Sequence, residues 1–242
     1  MSRTRLILLG LLAVVAAGAV IASTSGAEPP AGACTSVTST PIYCVAGVPL
    51  ASSASAEVEG TDGVSVFTAT VGTVKTEVEC KKGKASGIIE GVASGTAGKS
   101  VIINKIEECK LLKPANCKLT AANESKIKTA ELGGTLTLTG GRIEDKLANP
   151  ESGGFALINI EGKENSCVIA EPEKPKTFEV SGSQLCEIDK ANGEAETEAT
   201  THKLICKTSG GSLKLGGNLA EMTSESTVKL ISGKKWSVKE NT

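Results

Sequence analysis

Eight cysteines are the residues of this 242-residue chain whose type and number most clearly define a chemistry. An even number of cysteines, in a chain that begins with an export signal (residues 1–27), indicates disulfides rather than metal ligands. No zinc site is predicted, because the chain has no Cys-x-x-Cys pair and only one histidine. We therefore expect four disulfides and neither a metal nor another cofactor. The expected disulfide cysteines are Cys34, Cys44, Cys80, Cys109, Cys117, Cys167, Cys186 and Cys206.

Spacing suggests two local disulfides. Cys34 and Cys44 enclose nine residues that include a proline, and Cys109 and Cys117 enclose seven that include another. Loops of this length predict a stabilisation of about 2.5 to 3 kcal/mol each in the chain-entropy treatment. Spacing alone does not determine how the other four cysteines pair. For these we expect Cys80–Cys167 and Cys186–Cys206.

His202 is the only side chain that could serve as the histidine base of a hydrolytic triad. Such a triad needs the base beside a nucleophile and oriented by a carboxylate. His202 lies next to a lysine in a predicted strand, and the chain has no Gly-x-Ser-x-Gly elbow. We therefore predict a surface histidine on a strand rather than a catalytic base.

Grouped acids are the other candidates for catalysis, since a glycosidase uses two carboxyls about 5 to 9.5 Å apart. The chain has one Trp and one Tyr, whereas sugar sites usually rely on aromatic side chains. We interpret these acids as solvated strand faces, and we predict that the protein is not an enzyme and has no catalytic residue. The acid groups are Glu77/Glu79, Glu107/Glu108 and Glu194/Glu196/Glu198.

The first 27 residues have the three parts of a secretory signal. Arg3 and Arg5 form a cationic start, residues 6–21 carry no charge, and small residues follow up to Ala27, after which we expect cleavage. The apolar run is shorter than the roughly 20 residues that a membrane-spanning helix needs. Lipidation of Cys34, the other alternative, would leave an odd number of cysteines.

The mature chain is predicted to be slightly acidic, with 24 basic and 27 acidic residues after the signal. This balance does not favour nucleic acid, which requires a basic surface to neutralise phosphates. No second apolar run of membrane length follows. We expect a secreted protein, extracellular or at the cell surface as a component of the cell envelope, without a transmembrane segment after cleavage.

Alternation of apolar and charged residues dominates the body of the chain. In residues 73–80, Val74, Thr76 and Val78 share one face and the charged residues share the other, as expected for a strand with one wet face. The predicted fold is all-β, an antiparallel β-sandwich or barrel of many short strands stapled by disulfides. Further strands are predicted at 101–106, 127–129, 135–139, 155–161, 177–180, 202–206, 212–215, 226–231 and 235–239. Turns are predicted at 62–63, 82–83, 140–141, 192–193 and 232–233.

The domain organisation is predicted as a signal peptide (1–27), an Ala/Ser/Pro-rich lead-in with the first disulfide (28–60) and one β domain (61–242). Residues 149–154, with proline and two glycines, are the best candidate for an internal break. Residues 218–222 are predicted as a helical turn. Residues 194–200 alternate at period two and are predicted as a strand.

Several short motifs together resemble a known group of proteins. They lie at residues 34–44, 78–80, 109–117, 127–136 and 228–236, and the resemblance covers nearly the whole mature chain. On these motifs the chain resembles uncharacterised exported β-rich proteins of high-G+C Gram-positive soil bacteria. The resemblance implies a secreted β-rich product and assigns no activity or catalytic residue.

Two functional hypotheses follow. The first is a non-enzymatic structural or interaction protein, secreted or in the cell envelope. The second is an extracellular binder of a small apolar ligand, in a sandwich cleft or barrel mouth lined by Val, Ile and Leu. A secreted hydrolase is a third. A closed barrel with a cavity would favour the binder, and a filled sandwich core would favour the structural protein.

Overall fold

A computed structural model describes Cys34 and residues 40–150, 153–163, 167–170, 174–188, 196–207 and 211–239. The predicted signal peptide, most of 28–39, the turn at 192–193 and Glu194 lie outside these residues. None of the helices in the described ranges has the length and apolar character needed to cross a membrane.

Antiparallel strands form nearly all of the described structure, with one short helix, α1 (Ala121–Ser125), between the seventh and eighth strands. The strands are β1 (Ile42–Val45), β2 (Val48–Pro49), β3 (Ser55–Asp62), β4 (Ser65–Val71), β5 (Val74–Glu90), β6 (Lys99–Lys113), β7 (Cys117–Leu119), β8 (Lys126–Lys128), β9 (Leu132–Thr139), β10 (Arg142–Ala148), β11 (Ala156–Gly162), β12 (Lys176–Ser181), β13 (Ser183–Ile188), β14 (Thr201–Cys206), β15 (Lys214–Leu215), β16 (Asn218–Leu230) and β17 (Trp236–Lys239).

Eight strands pair edge to edge and close on themselves. Their order is β3, β5, β6, β9, β10, β13, β14 and β16, and β16 pairs again with β3. Every pairing in this first ring is antiparallel. Closure removes the free sheet edges that would otherwise invite aggregation. Of the two predicted all-β architectures, the closed one is therefore found in this part of the chain.

Three long strands continue beyond the first ring and build a second one. These strands are β5, β6 and β16, with 17, 15 and 13 residues. Outside the first ring, β5 pairs with β4 and β6 pairs with β8. β16 pairs there with both β4 and β15. β15 continues to β12 and β11, and a bridge between Thr129 and Ala156 returns the pairing to the β8 segment. The two rings are thus joined through shared strands.

A separate three-stranded sheet of β17, β1 and β2 covers one end of the first ring. Its side chains Tyr43, Trp236 and Val238 pack against Val58 and Leu136 of the ring interior. Because these strands do not belong to the ring wall, their side chains can reach the interior only through an open end. We call this sheet the cover sheet.

The two ring interiors differ in composition. The second ring is filled mainly by apolar side chains, including Phe67, Phe178, Leu119 and Ile160. The first ring combines apolar side chains with several buried polar ones. Apolar burial stabilises both, at about 25 cal/mol per Å² removed from water. The first ring is consequently where a chemically specific site can form.

Most of the predicted strands are confirmed, and four local features differ from the predictions. The sheets begin at β1, inside the predicted lead-in. Residues 218–222 continue β16, because pairing with β4 and β15 overrides their weak helical preference. Among residues 196–200 only Ala199 makes a bridge, to Trp236. Lys82-Gly83 lies within β5 instead of a turn, whereas the turn at 140–141 is confirmed.

All eight cysteines are paired in four disulfides, and none is free in the described residues. The predicted pairs Cys34–Cys44 and Cys186–Cys206 are found. The predicted pairs Cys109–Cys117 and Cys80–Cys167 are wrong. Strand register, rather than loop length, determines the disulfide partner, because Cys80 on β5 lies directly opposite Cys109 on β6. The observed pairs are Cys34–Cys44, Cys80–Cys109, Cys117–Cys167 and Cys186–Cys206.

Candidate functional site

The interior of the first ring encloses a cavity of about 50 Å³. One water needs roughly 10–15 Å³ measured in this way, so the space exceeds that of a single water. Alternate residues of each strand face inward, which brings residues from seven of the eight strands, all except β9, to one space. The apolar wall includes Val58, Ile89, Ile102, Leu147, Ile188, Leu204 and Val228. The polar wall includes Asp62, Ser100, Asn104, Asp145, Gln184, His202 and Ser226.

Asp145 of β10 is the most deeply buried acid of this wall, with 3% of its surface exposed. Its Oδ2 accepts a hydrogen bond from the Ser100 hydroxyl at 2.7 Å and a longer one from the Tyr43 hydroxyl at 3.4 Å. Its Oδ1 has no hydrogen-bond partner among the described residues. Burial raises the pKa of Asp145 to about 6, although the two hydroxyl donors and the backbone N–H of Thr135 act in the opposite direction. Burial and the neighbouring carboxyl raise the pKa of Tyr43.

Gly134 of β9 makes the space in which the Asp145 carboxyl lies. A Cβ atom at this position would collide with the Ser100 hydroxyl and with both Asp145 carboxyl oxygens. Its neighbour Gly133 faces open space, where the nearest atom to an added Cβ is 3.8 Å away, on Pro150. The two glycines of this pair therefore have different roles, and only Gly134 is required by the site.

His202 is inside the ring, so the prediction of a surface histidine is wrong. It is 6% exposed, and its Nε2 lies 2.7 Å from the Trp236 carbonyl oxygen. Because a carbonyl only accepts, Nε2 carries the proton. The imidazole also packs edge-on against the indole, with ring centroids 4.3 Å apart. Inward alternation on β14 explains this position.

Trp236 brings an unused donor to the cavity. Its indole Nε1 is buried and has no hydrogen-bond partner in the described part of the chain. The residue is 3% exposed and lies 6.2 Å from Tyr43, measured between ring centroids. Tyr43 also bonds to Asp145, so the residues that carry the unbonded acceptor (Asp145) and the unbonded donor (Trp236) both contact the same tyrosine.

Asp62 provides a second carboxyl on the opposite wall. It belongs to β3, which is four strands from β10 in the ring of eight. Burial raises the pKa of Asp62, while a hydrogen bond with Ser226 lowers it. Gln184, another polar residue of the wall, donates a hydrogen bond from its amide to the Lys207 carbonyl at 2.7 Å.

The grouped acids considered for catalysis are not in this cavity wall. Glu77 binds Lys113 at 2.9 Å and Glu108 binds Lys82 at 2.6 Å, and these lysines lower the pKa of both acids. Glu198 accepts a hydrogen bond from the Gly47 backbone. Glu194 lies outside the described residues. The described ranges hold no group of three or more His, Cys, Asp or Glu side chains arranged for a metal.

Asp145 is the functional candidate that sequence reasoning missed. The stretch 142–147 carries four charged residues, which hides its strand character. Period-two alternation nevertheless places Asp145 on the same face as Ile143 and Leu147, away from Arg142 and Lys146. An acid flanked by apolar residues on one strand face was the available signal.

A second cavity, of about 40 Å³, lies in the second ring and is lined chiefly by apolar side chains such as Val78 and Ile158. Phe155 and Met222 line both cavities and lie between them. Mostly apolar walls with a few directed polar groups, as in the first cavity, are typical of small-molecule sites. No family model, curated protein or solved structure matches this chain.

Proposed function

We propose that this protein is a non-enzymatic binding protein, secreted or in the cell envelope, that holds a small molecule inside its first ring. The observation that supports the proposal is the closed ring around a cavity whose lining residues carry three unbonded polar atoms, Asp62 Oδ1, Asp145 Oδ1 and Trp236 Nε1. An unpaired buried donor or acceptor costs about 1–3 kcal/mol. An occupant that bonds to one or more of these atoms would recover part of this free energy.

The polar groups favour a ligand with polar atoms over the fully apolar one expected from the sequence. Val, Ile and Leu side chains form much of the wall, as the alternative hypothesis supposed. The same wall also contains polar groups of Asp145, Trp236 and Ser100. Directed polar groups of this kind fix the orientation of a ligand. His202 is engaged by the Trp236 carbonyl, which supports a role in packing rather than in proton transfer.

An extracytoplasmic location is supported by four disulfides, since these persist in oxidising compartments. The signal sequence and the resemblance to exported proteins argue in the same direction. In this proposal the disulfides hold the ring walls and the cover sheet in place around the ligand. A purely structural protein, the other sequence hypothesis, would bind nothing in the cavity.

The test is a screen of small molecules against a cavity-filling variant. Trp236 is the only tryptophan, so its fluorescence reports on the cavity. Ala85 lines the cavity from β5, and Ala85→Leu fills it. Ser86→Leu is the matched control, because Ser86 is exposed on the outer face of the same strand. The panel contains apolar, neutral polar, anionic and cationic compounds of about three to eight non-hydrogen atoms, a range set by the cavity size.

We expect at least one class to shift the Trp236 emission and raise the melting temperature of the wild type and of Ser86→Leu. In Ala85→Leu the affinity should fall by about tenfold or more, the equivalent of roughly 1.4 kcal/mol. If no class binds, or if Ala85→Leu binds as well as the wild type, the proposal is wrong and the structural hypothesis is favoured.

A further inference from the structure

We infer that the ligand of the first ring is a small amino alcohol, a protonated amine that also carries a hydroxyl group. The inference rests on the proposed binding function and names its ligand class. Its ammonium group would donate to Asp145 Oδ1, and its hydroxyl oxygen would accept from Trp236 Nε1. Both protein atoms are buried and unbonded among the described residues, and both residues line the same cavity.

The charge of the cavity wall supports a cation. An ionised carboxylate in an apolar interior is unfavourable unless a positive group or sufficient hydrogen bonds accompany it. The two hydroxyl donors of Ser100 and Tyr43 both bond to Oδ2, which leaves Oδ1 for another partner. Lys203 contributes to the same wall, but its ammonium binds Glu225 at 2.6 Å. A ligand ammonium would supply the positive charge beside Oδ1.

The hydroxyl group is assigned from the indole. Trp236 Nε1 can only donate, so its partner must be an acceptor, and an ammonium group has no acceptor atom. Tyr43 contacts both residues, through its hydrogen bond to Asp145 Oδ2 and its ring contact with Trp236. The two recognition residues are therefore neighbours of the same tyrosine.

The size of the cavity limits the ligand to a short chain. A volume of about 50 Å³ is the space of about four waters at 10–15 Å³ each. A ligand of four or five non-hydrogen atoms fits this space. The aliphatic part would contact apolar wall residues such as Val58 and Val228, which supply no competing polar atoms.

Three compounds with five non-hydrogen atoms each separate the contributions of charge and hydroxyl. The probe is 3-amino-1-propanol, the uncharged match is 1,3-propanediol, and n-butylamine lacks only the hydroxyl group. Binding is measured by calorimetry and by Trp236 fluorescence at pH 7.5. The variant is Asp145→Asn, and the control is Glu144→Gln, which removes the same charge from the adjacent, half-buried position on the other face of β10, outside the cavity wall.

We expect the wild type to bind 3-amino-1-propanol at least about tenfold more tightly than the diol, as a hydrogen bond to a charged group implies. Asp145→Asn should remove this preference, and Glu144→Gln should keep it. The affinity for n-butylamine should be about threefold or more below that for the amino alcohol, the loss of one neutral hydrogen bond. Equal affinities for the amino alcohol and the diol, or an unchanged preference in Asp145→Asn, would overturn the inference. Equal affinity for n-butylamine would overturn the assignment of the hydroxyl.

A second measurement does not depend on folding of the variant. In the wild type the preference for the amino alcohol over the diol should decrease as the pH is lowered and Asp145 takes up a proton. The other titratable side chains of the wall are Tyr43, Asp62, His202 and Lys203. A preference that is independent of pH between 5 and 8 would contradict the inference. If the diol or an apolar compound binds best and is lost in Ala85→Leu, the ligand class is wrong while the binding function stands.

Discussion

Asp145 has an unfavourable position in the folded protein, because its carboxyl group is buried with one oxygen unbonded. The hydroxyl groups of Ser100 and Tyr43 donate hydrogen bonds only to the other oxygen, Oδ2. Groups that are costly to bury are commonly found where a protein binds a ligand or performs chemistry. At the residue scale, the site therefore consists of one buried carboxyl group that is costly to ionise, and of Gly134, which leaves space for it.

The pH dependence of stability should show this cost. The pKa of Asp145 is about 6 in the folded state and 3.8 as an isolated group, so between these values the folded protein binds more protons than the unfolded one. The free energy of unfolding therefore decreases as the pH rises through this window, by up to about 3 kcal/mol from this group. Asp145→Asn should flatten this pH dependence and raise the free energy of unfolding at pH 7.5 by about 1–3 kcal/mol, measured by urea denaturation. A variant less stable than the wild type at pH 7.5 would contradict this account.

Two adjacent glycines provide a matched test of the space around Asp145. Gly134→Ala should lower the free energy of unfolding by about 1–3 kcal/mol, because the new methyl group overpacks the Asp145 and Ser100 side chains. Gly133→Ala should change it by no more than about 1 kcal/mol, because its Cβ meets no atom closer than 3.8 Å. Equal effects of the two substitutions would show that the carboxyl does not need this space.

At the element scale, the cover sheet contributes two side chains to the cavity wall. Tyr43 and Trp236 extend from it into the ring interior, and Cys44 of β1 is held by its disulfide to Cys34. The double variant Cys34→Ser/Cys44→Ser should loosen this sheet while the ring remains closed. We expect faster quenching of Trp236 fluorescence by acrylamide, with an unchanged far-UV circular dichroism spectrum. Unchanged quenching in the double variant would show that the cover sheet is held in place without the disulfide.

Local patterns predicted many strands but not their partners. Alternation in 73–80 and 226–231 indicated strands correctly, since which residues face inward is a property of adjacent residues. The pairing of β16 with β3, β4, β14 and β15 depends on contacts far apart in the sequence. Cys109 illustrates the difference: the nearer Cys117 suggested a local pair, whereas register places Cys80 opposite it. Ring closure, and with it the cavity, could not be predicted for the same reason.

At the scale of the whole molecule, the first ring is the polar compartment of a two-ring protein. β5, β6 and β16 run through both rings, so the apolar second ring serves as a rigid base for the first. The predicted break at 149–154 coincides with the passage of the chain from β10, in the first ring, to β11, in the second. Sites built on strands of a packed scaffold hold their side chains more precisely than sites on loops do. The proposed function therefore requires that the cavity of the first ring binds a ligand.

The most direct test of this claim is the nuclear magnetic resonance signal of the Trp236 indole N–H, the only such signal in the protein. The wild type, labelled with ¹⁵N, is titrated with 3-amino-1-propanol beside Ala85→Leu and Ser86→Leu. We expect a saturable shift of the indole signal in the wild type and in Ser86→Leu, and no shift in Ala85→Leu. An indole signal that stays fixed in the folded wild type, or that moves equally in all three proteins, would contradict this expectation.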